Sequence, residues 1–240
     1  EVRGYIIIFQ DLTEIKKLEE RLRLSEKKAL LGQLAAGLAH EIRNPLSVIS
    51  GSIEILSQDV KPSDENVRLL KIAIQEVERL NILVEDFLLL TSPIQRLETL
   101  VDVSRIIDET VESFLGAASR NGFDVIVNTQ KGLYVRADFP QLKQVFWNLL
   151  INAREAMPNG GKIIVEAHAE ESDIIVKFSD EGCGMDEKTI SRIFEPFFTT
   201  KKVGTGLGLA IVQKIIEGYN GRISVMSAEN KGTTFTIALP

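Results

Sequence analysis

Cysteine is almost absent from this sequence: Cys183 stands alone in 240 residues. No internal disulfide can form, a reducing cytosolic setting is expected, and the residue itself reads as a small buried side chain. Positive charge in excess is missing too. A net charge of −6 leaves no basic stripe, so no nucleic-acid partner is expected. No apolar run approaches the roughly 20 residues of a membrane span, so this stretch should make no direct membrane contact. There is no start methionine and no signal peptide, and the chain opens at Glu1 inside an apparent strand from Gly4 to Phe9. A fragment of a longer protein is expected, with the parent's membrane anchorage left open. Internal repeats and low-complexity tracts are lacking as well.

What is present suits a globular protein of one large or two small domains, with 44% hydrophobic and 26% charged residues. Asp11 and Glu14 can open a helix as a capping pair. An apolar seam then runs Ile15, Leu18, Leu22, Ser25, Ala29, Gly32, Ala36, Ala39 at heptad spacing. Continued to about Gln58, that helix would be roughly 70 Å long and would need partners. After a turn at Asp59–Ser63, a second helix carries Val67, Leu70, Ile74, Val77, Leu80, Val84 and Phe87 on one side. Two such helices bury half a core. A second copy would complete a four-helix bundle, so a homodimer is expected over a monomeric hairpin packed on its own C-terminal domain.

Thr91-Ser92-Pro93 ends the second helix, and the pattern changes. Strands are expected at Phe123–Thr129, Lys162–Ala169, Asp173–Ser179, Gly221–Ala228 and Thr233–Leu239. Helices are expected at Ser104–Arg120, Pro140–Met157 and Leu207–Tyr219. The fold class is α+β: a helical hairpin followed by an α/β sandwich with helices on one face of a mixed sheet.

Histidine is scarce too, with only His40 and His168. His168 has no motif around it and reads as solvent-facing. His40 sits in Leu38-Ala39-His40-Glu41-Ile42-Arg43-Asn44-Pro45-Leu46. Glu41 can take or orient the imidazole proton, Asn44 projects from the same helix face, and Pro45 should kink the helix there. A lone helical histidine is more often structural, so the weight falls on four later blocks.

In the first block, Asn148 and Asn152 face the same way from an apolar helix, where they could serve Mg²⁺ and phosphates or simply bond to backbone. The second, Asp180-Glu181-Gly182-Cys183-Gly184, follows a strand; a carboxylate there can accept from the amine of adenine, with glycines allowing close approach. An ordinary turn is the plainer reading. The third, Phe194-Glu195-Pro196-Phe197-Phe198-Thr199-Thr200-Lys201-Lys202, suggests an anchored loop with lysines for phosphate; conservatively, its aromatics are core and its lysines a solvated tip. The fourth, Gly204-Thr205-Gly206-Leu207-Gly208, opens a helix and can turn amides toward an anion. It is not a Rossmann fingerprint, since Leu209 stands where glycine is wanted, nor a P-loop. Each block is weak alone; the four in this order are strong.

With His40, these blocks resemble the sensor histidine kinases of two-component signalling over nearly the whole chain. His40–Leu46 is similar to their H-box; Asn148/Asn152, Asp180–Gly184, Phe194–Phe198 and Gly204–Gly208 are similar to their N, G1, F and G2 boxes. Glu-Pro-Phe-Phe-Thr-Thr-Lys resembles the nitrogen-regulation subgroup, and Gly4–Thr13 the exit of a PAS domain. The resemblance implies three parts: residues 1–12 a PAS remnant, 13–95 a signalling helix and dimerisation hairpin, and 96–240 a Bergerat-type ATP-binding domain. It implies the cofactors ATP and Mg²⁺, with nucleotide contacts at Asn148, Asn152, Asp180, Gly182, Gly184, Lys201, Gly204, Thr205, Gly206, Leu207, Gly208 and Thr233. Asp180 would meet adenine, and Asn152 with Asn148 would hold the metal. His40 would take the γ-phosphoryl group with Glu41 as base or orienter, then pass it to an aspartate of a response-regulator receiver domain. Asn44 would position water for the reverse, phosphatase duty.

Two departures stand out. Relatives often carry Lys or Arg three residues after the second asparagine, where this chain has Glu155, so phosphate neutralisation is left to Arg154, Lys201 or Lys202. Tyr219-Asn220-Gly221 replaces a common His-Gly-Gly. The alternatives are an ATPase of the gyrase and chaperone superfamily, or a phosphatase-only dimeric scaffold. The first needs a Glu base one turn before Asn152, where Asn148 stands; the second should lack His40, Asn152 or Asp180, and none is missing.

Overall fold

The structure, a computed structural model, describes residues 42, 46–51, 53, 64–91, 99–118, 122–201 and 204–240. His40, Glu41, Asn44, Lys202, the N-terminal heptad seam and the PAS-like strand lie outside them. The chain divides into two compact units, Glu1–Ser92 and Pro93–Pro240.

In the first unit, residues 46–51 are helical and α1 spans Asp64–Thr91. Thr91 ends α1 with its hydroxyl donating to the carbonyls of Phe87 and Leu88, ahead of Pro93. On the expected apolar side Val77 is buried, and Leu70, Ile74, Val84 and Phe87 are partly covered. Leu80 is not: it is exposed, because strict heptad spacing from Val77 falls on Asn81. Asn81 Oδ1 is buried there, with no hydrogen-bond partner among the described residues. No described helix is long and apolar enough to cross a membrane.

The second unit holds a five-stranded sheet in the order β2-β4-β5-β7-β6, with β2 (Phe123–Thr129), β4 (Gly161–Glu170), β5 (Asp173–Asp180), β6 (Arg222–Ser227) and β7 (Thr233–Leu239). Only β2 and β4 run parallel; the other pairs are antiparallel, which makes the sheet mixed as expected. Three helices pack on it: α2 (Val103–Ala118), α3 (Phe139–Ala156) and α5 (Gly208–Gly218). Two four-residue strands, β1 (Thr99–Asp102) and β3 (Tyr134–Ala137), pair separately, and α4 (Glu187–Ile190) is a single turn. None of these three short elements is expected from the sequence.

Two of these helices, α2 and α3, begin where a side chain satisfies a free amide. Asp138 caps α3 by accepting from the Gln141 amide at 3.0 Å, with Pro140 in the first turn. Asp102 accepts from the Ser104 amide at 3.0 Å, so α2 starts at Val103. On α3, Leu142, Val145, Phe146, Leu149, Leu150 and Ala153 recur every three or four residues and are buried. Phe146 meets Phe178 of β5 with ring centroids 5.4 Å apart, fixing α3 over the centre of the sheet.

Candidate functional site

The sheet's helix-facing rows are apolar along their length and turn polar at one end. On β5, Val176 and Phe178 are buried on that face, and two residues further the same alternation delivers Asp180. Its neighbours in register are Ile163, Thr233 and, one strand further, Ser227. The carboxylate therefore lies in a hydroxyl-lined last rung of the core, beneath the C-terminal end of α3. Burial pushes the Asp180 carboxyl above the ordinary range, while hydrogen bonds from the Gly182 and Thr233 backbone and the nearby Lys201 charge pull it down.

Glycine is required around this carboxylate for identifiable reasons. The Gly182 amide donates to Asp180 Oδ1 at 2.8 Å, and a Cβ there would lie 2.6 Å from Ala156 Cβ. Gly184 has φ +65, and its added Cβ would sit on the Ala228 carbonyl. Cys183 between them is exposed, against the buried residue expected, because the tight inward positions on either side admit only glycine. Its own amide and carbonyl tie the loop to Ala156 and Asn230 at 3.2 and 2.7 Å.

Asn148 and Asn152 flank the apolar stripe of α3 and point to the same side, as their spacing implies. Asn148 Nδ2 donates to the Gly208 carbonyl at 3.5 Å, joining α3 to the start of α5. Asn152 Oδ1 accepts from Lys201 Nζ at 2.8 Å, and the same ammonium is paired with Glu155. An ammonium can donate only to the amide's oxygen, which fixes the orientation of Asn152.

Lys201 reaches α3 from a loop whose two ends are clasped. The Phe197 amide donates to the Gly206 carbonyl at 2.9 Å, and Gly206, at φ +68, would place a Cβ 2.4 Å from the Phe197 carbonyl carbon. Phe197 itself has φ +68 and is 63% exposed, Phe198 lies under the Arg192 guanidinium at 4.3 Å, and Phe194 is partly covered. The conservative reading of these aromatics as core fails at Phe197, which the loop's bend turns outward, while Phe194 and Phe198 are partly covered. α5 then opens without a side-chain cap on its Leu207 start, and the Leu207 amide meets Thr205 Oγ1 at 3.3 Å.

Asn148, Asn152, Asp180, Gly182, Lys201, Gly208 and Thr233 are thus gathered around one region, with the Gly204–Gly208 turn at its side. His168 sits elsewhere, half-exposed on β4, 3.8 Å from Glu170. Sequence reasoning missed Ser227 and Gly232. Ser227 Oγ bonds to the Gly232 carbonyl at 2.9 Å and to Thr233 Oγ1 at 3.0 Å, while Gly232, at φ +81, passes against the Asp180 carbonyl. The only available signal was Gly232 itself, directly before the last strand.

Two family matches lie in order along the chain: the His Kinase A (phospho-acceptor) domain over residues 30–96, and the histidine kinase-, DNA gyrase B- and HSP90-like ATPase over residues 137–240. Sporulation kinase E of Bacillus subtilis (strain 168) is 40% identical over 98% of this chain and 32% of that protein. The chain spans about a third of the length of the first curated relatives it matches. Full-length ShkA in complex with AMPPNP aligns over 87% of this chain and 45% of that one, at 26% identity and TM-score 0.76. Histidine kinase ThkA, solved in complex with the response regulator protein TrrA, aligns over 96% of this chain and 68% of that one, at 30% identity and TM-score 0.66. With both domains in sequence order and a solved kinase matched over two thirds of its length, the chain belongs to the sensor histidine kinases of two-component signalling.

Proposed function

We propose that this chain is the kinase core of a sensor histidine kinase, which phosphorylates its own His40 from ATP and passes the group to a response-regulator aspartate. The observation that carries the reading is the half-buried Asp180 carboxylate, ringed by glycines and facing the same region as Asn152 and Lys201. A carboxylate desolvated at a sheet end needs donors, and an adenine amine supplies one. The ShkA complex with AMPPNP supports the nucleotide, and the ThkA–TrrA complex supports the receiver partner. A homodimer through the hairpin, and a phosphatase duty for Asn44, complete the proposal.

Each residue has a task in it. Asp180 fixes the base, with Gly182 and Gly184 letting the backbone approach its edge. Gly204, Gly206 and Gly208 present amides at the uncapped start of α5, where negative charge is favoured. The residues present also fit a magnesium ion. Asn152 supplies one outward oxygen and Asn148 lies a turn away, which suits a cation that takes few protein ligands and keeps phosphate and water. Bound there, Mg²⁺ would neutralise phosphate charge. His40 attacks the γ-phosphorus through a ring nitrogen, the bond to the β-phosphate oxygen breaks, and ADP leaves while Glu41 takes or steers the imidazole proton.

Incubation with γ-labelled ATP and a receiver domain tests this reading. Label should appear first in the chain and then in the receiver, with loss of the chain's own label. Steady release of free phosphate with no labelled protein would instead favour the hydrolytic superfamily reading, against which Asn148 already stands at the position of the general base.

A further inference from the structure

Lys201 occupies an atom that the proposed reaction needs for something else. Its Nζ donates to Asn152 Oδ1 at 2.8 Å while also paired with Glu155. Asn152 and Glu155 are three residues apart on α3, so they form one side of the helix against which the lysine lies. The Asn152 carbonyl oxygen has two lone pairs, but a metal ion on one would lie close to the ammonium held on the other, and the like charges repel. Filling the site therefore favours release of the lysine.

We propose that Glu155 and Asn152 form a latch on Lys201, and that this lysine is the phosphate-contacting cation of the site, released when a metal-bearing triphosphate displaces it from Asn152. The inference rests on the ATP reading above and extends it, since that reading leaves the neutralising residue open. The geometry decides between Arg154 and Lys201; Lys202 lies outside the described residues. Arg154 is two residues from Asn152, about 200° around the helix, and so leaves from the opposite side. Lys201 is already beside Asn152, and its charge is felt at Asp180, so it lies within the nucleotide region. Its backbone is held by its own amide donating to Thr199 Oγ1 at 3.1 Å and by the Phe197–Gly206 clasp. The four-carbon side chain is the part with freedom to swing.

The two grips differ in what they do. Asn152 is lost to the lysine once the metal arrives, so the remaining competition is between Glu155, with one negative charge, and a triphosphate with several. Glu155 and Lys201 are each more than a third exposed, which makes their ion pair weak and readily exchanged. Where a cation at position 155 would contact phosphate permanently, the carboxylate instead keeps the lysine parked while the site is empty.

The test uses the whole chain, with Glu155→Gln, Lys201→Ala and the double variant. Binding of a non-hydrolysable ATP analogue with magnesium is measured by calorimetry, and hydrogen exchange of residues 197–206 is followed without nucleotide. Glu155→Gln should tighten analogue binding about threefold to fivefold, the scale of one exposed ion pair, and leave adenosine binding unchanged. Lys201→Ala should weaken analogue binding about tenfold or more, with Lys201→Arg restoring most of it. In the Lys201→Ala background, Glu155→Gln should change nothing. In the empty protein, exchange in the loop should be faster in Glu155→Gln than in the unmodified chain. An equal gain from Glu155→Gln in both backgrounds would mean that Glu155 merely repels phosphate, and would overturn the latch. So would unchanged loop exchange. An unmodified chain that binds no nucleotide at all would sink the parent reading, and the exchange measurement would still decide the latch.

Discussion

Replacing Asp180 by asparagine alters one atom of the side chain and should separate adenine recognition from folding. One carboxylate oxygen accepts from the Gly182 amide at 2.8 Å, and asparagine can keep that bond through its own oxygen. The Thr233 backbone also donates to the carboxylate. The new amide group therefore turns a donor toward either the Thr233 amide or the incoming adenine amine. Losing a hydrogen bond to a charged acceptor costs about 1.5–3 kcal/mol, or about 10- to 150-fold in affinity. The empty protein should not suffer equally. Burial is the largest influence on the Asp180 carboxyl and raises it, so its favourable contribution to folding is present below the unfolded value and lost as pH rises. At neutral pH the charged form is a burden that asparagine removes. Calorimetry should show weak ATP binding with an unchanged or higher Tm, and a smaller preference for ATP over inosine triphosphate, whose exocyclic carbonyl oxygen can accept from the new amide N–H. ATP affinity within twofold of the unmodified chain would refute the assignment.

Gly206→Ala puts a methyl 2.4 Å from the Phe197 carbonyl carbon and forces a side chain to φ +68. The left-handed backbone alone costs about 1–2 kcal/mol, so the clasp should open; a melting scan should show a Tm drop of a few degrees, with nucleotide affinity reduced at least tenfold. Retention of both values would show that the clasp is dispensable. In α1, burial first and Glu85 second raise the Asp86 carboxyl to about 6. Its contribution to stability is full below the ordinary carboxylate value of 3.8 and lost as pH rises through about 6. Asp86→Asn should therefore raise stability at pH 8 by on the order of 1–2 kcal/mol, allowing for partial exposure, and by less at pH 5. Urea unfolding at both pH values checks this, and an equal gain at each would refute the sign.

Much of the second unit was legible because its elements are long enough to show their period. β2 and β7 fall on the expected residues, and α3 differs by one residue at each end, where Asp138 and Met157 cap it. β1 and β3 were not, since four residues give alternation too few repeats to stand out. Glu155 stands out in the sequence only as a wrong-signed residue three positions after an asparagine. Its pairing with Lys201, 46 positions away, depends on how the loop after Phe197 returns to α3. Apolar character alone places Cys183 inside, whereas Gly182 and Gly184 take the inward positions and leave it exposed. Leu80 fits a run of three- and four-residue steps, but the buried seam passes from Val77 to Asn81 and leaves it exposed.

On the proposed reading, ATP's terminal phosphoryl group reaches the imidazole of His40. The most direct measurement incubates the chain with γ-labelled ATP and magnesium, then maps the label and tests it against acid and alkali. The expected result is label at His40, lost in acid and kept in alkali, and absent from His40→Gln while that variant still binds nucleotide. Label of the same stability persisting in His40→Gln, or an acid-stable label elsewhere in the chain, would contradict it.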